Sequence, residues 1–267
     1  MSNKKHNKKL IVETHQSGLA SLTLNRPEAG NAFDAELIQE LIVALKALEE
    51  QQVRLLVIKS TGKHFSTGAD LNWMRASRQL SHEENLDDAR QLAELLRRLN
   101  RFPAPTLAMA QGAVYGGAVG LITACDIALA ADTARFCLSE VKIGLMPAVI
   151  SPYVVAAMGE RQARRYFLTA EVFSSLQAQQ LGLVHECCRD NQVEVKASTL
   201  CKQILGNSPL ALAAAKSLIR EVSHQSINDS LIETTCQRIA DIRVTEEAQE
   251  GLSAFLEKRT PSWRLGG

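Results

Sequence analysis

The chain has 267 residues, 46% of them hydrophobic, and a formal net charge of +1. That length buries a sizeable core, in one large domain or two small ones. The near-neutral charge excludes a global pull toward nucleic acid or an acidic membrane, and no apolar run is long enough to cross a bilayer.

Residues 1–9 carry Lys4, Lys5, Lys8 and Lys9 with no apolar stretch after them, so they read as a solvated basic tail rather than a secretory signal. The alternation in residues 18–24 predicts a strand with one buried face. Leu37, Ile38, Leu41, Ile42, Leu45 and Leu48 recur at helical spacing, and Leu55 to Ile58 reads as a buried strand. Leu86, Ala89, Leu92, Leu95, Leu96 and Leu99 form a second helical stripe, closed before Pro103 and Pro105. A strand over 106–110, a glycine-rich turn, a short helix and a strand over 126–130 complete an α/β pattern. From about Ser151 the pattern turns helical, over 160–168, 192–205, 209–222 and 245–257, with a short apolar piece at 181–185. Pro209 suits a first helical turn after Asn207 and Ser208.

The six cysteines, at 125, 137, 187, 188, 201 and 236, show no CxxC spacing. Cys125 and Cys137 sit in apolar runs, where a thiol acts as a small hydrophobe, and Cys187 and Cys188 read as a surface pair. A reducing, cytoplasmic compartment is expected. The scattered histidines form no zinc pattern, so no metal is expected. No GxSxG, Walker A or GxGxxG motif is present, which argues against serine-hydrolase, nucleotide and dinucleotide chemistry.

Two small-residue turns follow strand-like runs: Phe65-Ser-Thr-Gly-Ala-Asp70, and Gln111-Gly-Ala-Val-Tyr-Gly-Gly-Ala-Val-Gly120. Such turns present backbone N–H groups, at a helix N-terminus in the second case, that can hold a developing negative charge. With the acid Glu140 they suggest oxyanion chemistry on a carbonyl compound; tight turns needed only for packing are the alternative. Asp70 also suits an N-cap for a helix over 71–76.

These turns, together with Asn25-Arg-Pro-Glu-Ala-Gly-Asn-Ala-Phe33, Cys125-Asp-Ile-Ala128 and Phe136-Cys-Leu-Ser-Glu-Val-Lys-Ile-Gly-Leu145, resemble the enoyl-CoA hydratase/isomerase (crotonase) family in order along nearly the whole chain. Gly68-Ala-Asp-Leu-Asn-Trp-Met74 and Leu145-Met-Pro-Ala-Val-Ile-Ser-Pro-Tyr153 are similar to bacterial methylglutaconyl-CoA hydratase-like members. The resemblance implies a ββα spiral α/β core over 10–200 and a C-terminal α-helical oligomerisation region over 201–267, forming a homotrimer or dimer of trimers. It implies an acyl-CoA substrate of leucine or fatty-acid catabolism, with CoA part of that substrate and no separate cofactor.

Residue by residue, the resemblance assigns the oxyanion donors to the backbone N–H groups of Ala69 and Gly117, with Gly68 and Gly116 in the same turns. Ser66, Thr67, Asp70 and Leu71 match the stretch lining the CoA pocket, and Arg26 and Lys258 match basic positions near the CoA phosphates. Family hydratases use two glutamates; Glu140 matches one, and Gly120 stands where the other would be. Three accounts of Gly120 remain open. Glu140 alone hydrates a substrate bringing its own carboxylate, or it shuttles a proton as a one-acid Δ3,Δ2-enoyl-CoA isomerase, or the chain only binds CoA thioesters. Residues 76–88 are expected to border the acyl pocket.

Overall fold

The computed structural model of the protein describes residues 8–264; most of the basic tail lies outside them. β1 (Leu10–Thr14) and β2 (Leu19–Leu24) form an antiparallel hairpin, followed by α1 (Ala35–Glu50) and β3 (Leu55–Ser60). α2 (Leu71–Ser77) and α3 (His82–Asn100) lead to β4 (Thr106–Ala110), β5 (Ala113–Tyr115) and α4 (Gly117–Thr123). β6 (Ile127–Ala131), β7 (Arg135–Cys137) and α5 (Ser151–Thr169) come next, then β8 (Phe173–Ser174), α6 (Ser175–Gln180) and β9 (Glu186–Cys188). The chain ends in α7 (Val193–Leu205), α8 (Pro209–Val222), α9 (Asp229–Arg243) and α10 (Glu246–Leu256).

Successive strands feed two sheets. One runs β1-β2-β3-β4-β6-β9, parallel from β2 onward; the other runs β5-β7-β8. Two turns of the spiral give one strand to each sheet and then a helix, β4-β5-α4 and β6-β7-α5. The larger sheet is covered on both faces. Leu56, Ile58, Ala108 and Ala110 face α1, α3, α4 and α5, whereas Leu55, Val57, Leu107 and Met109 face α7. Apolar residues are therefore required at consecutive strand positions, the pattern of a parallel sheet buried on two sides.

That arrangement corrects the expectation of one solvent face on β2: Ser21 and Thr23 are buried too. The second helical stripe is buried only at Leu95, Leu96 and Leu99, and Leu86 is exposed, because α3 runs past the edge of the core. The helix expected over 160–168 is the second part of α5; a first part from Ser151, which was not expected, joins it at Gly159, whose φ of 76° and ψ of 155° are not helical. Cys187 and Cys188 are not a surface pair. They lie on β9 beside β6, with Cys188 buried and Cys187 Sγ 3.1 Å from Ser175 Oγ. α7 runs through residue 200 and packs Cys201 against the sheet, so the helices that leave the core begin after Leu205.

A buried lysine ties those helices back. Lys216 on α8 donates to Asp126 Oδ2 at 2.6 Å and to Ala104 O at 3.2 Å, and Asp126 also accepts from Thr106 N and Oγ1. Burial pulls the Lys216 ammonium below its ordinary pKa despite Asp126. No helix among the described residues is long and apolar enough to cross a membrane.

Candidate active site

The spiral brings the two glycine-bearing turns side by side. Ser66 bridges to Val114, donating its N–H to Ala113 O (3.0 Å) and accepting at its carbonyl from Tyr115 N (3.1 Å). Ala69 bridges to Phe33 through Phe33 N to Gly68 O and Asp70 N to Phe33 O, both 2.8 Å. Gly68 has a φ of +94°, and a β-carbon there would stand 3.1 Å from Tyr115 O. Glycine is required on both grounds. With their neighbours paired in this way, the N–H groups of Ala69 and Gly117 have no acceptor among the described residues. Gly117 is the first residue of α4, where an N–H lacks an intrahelical partner and the helix dipole favours negative charge.

Glu140 is delivered by the next spiral turn. Gly116 donates to Cys137 O at 2.9 Å, tying the second turn to the end of β7 three residues before Glu140. Glu140 opens a short 3-10 helix closed by Gly144, and Leu145 N donates to its carbonyl at 3.1 Å. Gly116 holds a φ of 54° and ψ of −122°, and a β-carbon on it would stand 3.2 Å from Glu140 Oε1. Glu140 Oε2 is buried without a hydrogen-bond partner among the described residues. Burial raises the Glu140 pKa, with its own backbone N–H opposing; no charged neighbour contributes. The site therefore joins two free N–H donors and one desolvated carboxyl. That set can stabilise an enolate and move one proton at a time.

Gly120 has no room for a side chain. A β-carbon there would lie 2.3 Å from Ile150 Cγ2, 2.7 Å from Ile150 Cβ and 3.4 Å from Leu96 Cδ1. The place is filled by hydrocarbon.

The remaining expected residues divide by what they touch. Ser66 is fully buried and its Oγ accepts from Gly68 N at 3.2 Å, so it braces the turn. Asp70 caps α2, accepting from Asn72 N and Trp73 N. Arg26 donates to Asp34 at 2.7 Å and to Asp70 at 3.1 Å. Burial pushes Asp70 up, but the Asn72 and Trp73 N–H groups and the Arg26 guanidinium outweigh it and hold the carboxyl below its ordinary value. Thr67 and Leu71 are exposed at the turn, and Lys258 is exposed just after α10 with a φ of 54°. Residues 76–88 span the end of α2 and the start of α3, where Ser81 and Glu84 form a capping box.

Three supporting residues were not singled out from the sequence. Phe33 packs on the turn, its Cδ2 3.3 Å from where a β-carbon at Gly117 would be. Asn31 is buried with a φ of 53°; it accepts from Arg26 N and donates to Thr61 O and His64 O, stitching the loop behind the first turn. Ile150 closes position 120. The Asn25–Phe33 motif was the visible signal for the first two; Ile150 lies in the Leu145–Tyr153 motif, which gave no sign that it packs over position 120.

A family model described as enoyl-CoA hydratase/isomerase matches residues 14–265. The chain is 33% identical to a 2,3-dehydroadipyl-CoA hydratase of Escherichia coli K12, over 95% of this chain and 98% of the relative. It is 29% identical to a trans-2-decenoyl-[acyl-carrier-protein] isomerase of Streptococcus mutans, over 96% and 98%. Among solved structures, an enoyl-CoA hydratase from Shewanella pealeana superposes with a TM-score of 0.93 at 45% identity, covering 97% of each chain.

Proposed function

The chain belongs to the enoyl-CoA hydratase/isomerase family, and from that premise we propose that it adds water to a 2-enoyl-CoA whose acyl group carries its own carboxylate, 3-methylglutaconyl-CoA being the candidate. The observation that carries this reading is the lone, half-buried Glu140, whose Oε2 has no partner, beside two unpaired N–H donors. The E. coli relative's name specifies a dicarboxylic enoyl thioester, and the turn and loop motifs resemble methylglutaconyl-CoA hydratase-like proteins.

In this mechanism the thioester oxygen accepts from Ala69 N–H and Gly117 N–H. Water oxygen bonds to C3 while the Glu140 carboxylate takes its proton, and the C2–C3 π electrons move onto the thioester oxygen as an enolate. The enolate collapses as protonated Glu140 gives that proton to C2, which returns Glu140 to its starting state. Each N–H donor of this kind contributes about 3–4 kcal/mol to the transition state. The substrate carboxylate orients the water or the acyl chain, a task that position 120 does not perform. Thr67, Gly68, Leu71 and Lys258 are proposed to border the CoA moiety, with Arg26 bracing the turn behind them through Asp34 and Asp70, in a cytoplasmic homotrimer or dimer of trimers.

A second reading rests on the same carboxyl. One acid against a hydrocarbon wall suffices to carry a proton between C4 and C2 of a 3-enoyl thioester, and an isomerase is among the relatives. Product mass separates the two, since hydration gains one water and isomerisation gains nothing.

A further inference from the structure

We propose that Ile150 is a specificity-determining residue: by filling the space over Gly120, it holds the site to a single carboxyl group. This rests on Glu140 being the proton carrier. Gly116 is the N-cap residue of α4, and Gly120 follows four residues on, one turn into the helix. A β-carbon at 116 would meet Glu140 Oε1, and one at 120 would meet Ile150. Side chains on a helix lean toward its N-terminus. Anything longer than hydrogen at 120 would therefore reach back toward Gly116 and Glu140, through the volume that Ile150 Cγ2 and Cβ occupy.

Ile150 cannot yield easily. It is 2% exposed, and it stands at the N-cap of α5, where its carbonyl accepts from Tyr153 N and Val154 N at 3.1 Å. Leu96, fully buried on α3, backs the same spot. The wall is thus built from three separate elements and presents only hydrocarbon to position 120. A simple enoyl thioester finds one proton-transfer group here, while a substrate with a carboxylate brings the second polar group itself.

The test is a set of variants assayed on crotonyl-CoA and 3-methylglutaconyl-CoA, with thermal melting throughout. Gly120→Glu alone is expected to melt lower and to gain no crotonyl-CoA hydration. Gly120→Glu with Ile150→Gly, which empties the space and leaves a residue tolerated at an N-cap, is expected to raise crotonyl-CoA hydration by about tenfold or more. Adding Glu140→Gln to the pair should remove the gain. Should the pair unfold, melting of Gly120→Ala with and without Ile150→Gly still decides: the alanine destabilises only while Ile150 is present. The proposal is overturned if Gly120→Glu gains activity with Ile150 intact, if the folded pair gains none, or if Gly120→Ala is equally tolerated in both backgrounds. Full turnover of Glu140→Gln in the otherwise native chain would instead overturn the underlying reading of Glu140.

Discussion

Gly116 faces Glu140: a β-carbon on Gly116 would stand 3.2 Å from Oε1 of the glutamate. The backbone of the second turn thus forms one wall of the carboxyl's pocket. Gly116→Ala should push on Glu140 and also force an L-residue into φ 54°, ψ −122°, at a cost of about 1–3 kcal/mol. Turnover should fall in a variant that still folds but melts lower; unchanged turnover would separate the turn from the carboxyl.

Glu140→Gln keeps the shape of the side chain and removes its basicity. Turnover should fall by about two orders of magnitude or more, with acyl-CoA affinity close to that of the native chain. The proposed mechanism needs the ionised carboxyl, so native activity should drop as pH falls through its raised pKa, at an acid limb above the ordinary glutamate value of 4.5.

Stability follows the same group with the opposite sense. A carboxyl whose folded pKa is raised contributes stability below its unfolded pKa, and that contribution is lost as pH rises through the folded value. Glu140→Gln should therefore melt higher than the native chain at neutral pH, with the gap closing in acid. A variant that melts lower at neutral pH would show that the carboxylate is held by groups other than those described.

Arg26 separates two roles. Its guanidinium is engaged by Asp34 and Asp70, which brace α1 and the first turn. Arg26→Ala should lower the melting temperature and turnover, while the ratio of KM values for CoA and dephospho-CoA esters stays put. A change confined to that ratio would assign Arg26 to the phosphates instead. Because both partner carboxyls are held below their ordinary values, with burial outweighed by hydrogen bonds and charge, this bracing should be lost in acid as pH falls through those lowered values.

The C-terminal helices leave apolar residues outside the core: Ile239 on α9, Val244, and Leu252, Phe255 and Leu256 on α10, with Phe255 81% exposed. Their burial in a trimer or hexamer is the expected outcome, read as mass by light scattering. Phe255→Asp should shift that mass downward; a native monomer with full activity would exclude oligomerisation as a requirement.

Local chemistry was legible in the sequence where a few neighbouring residues settle it. Asp70 caps α2, and Ser208 and Pro209 open α8, each as its residue type requires. The two turns were legible for the same reason. The closed wall at Gly120 was not, because Ile150 and Leu96 arrive from distant segments and only packing brings them together. α9 also escaped notice: Leu231, Ile232, Ile239 and Ile242 leave the helix without a continuous buried face, and none of its residues is buried. The paired face of β9 was hidden in a short stretch whose two cysteines read equally well as surface.

In the proposed mechanism Glu140 alone moves the proton as water adds to a carboxylate-bearing enoyl-CoA. The most direct measurement is product mass from 3-methylglutaconyl-CoA, crotonyl-CoA and a 3-enoyl-CoA, run side by side with native chain and Glu140→Gln. The account predicts rapid gain of one water by the first substrate, much slower gain by crotonyl-CoA, and loss of both in the variant. Rapid conversion of the 3-enoyl ester without added water, or hydration that persists in Glu140→Gln, would contradict it.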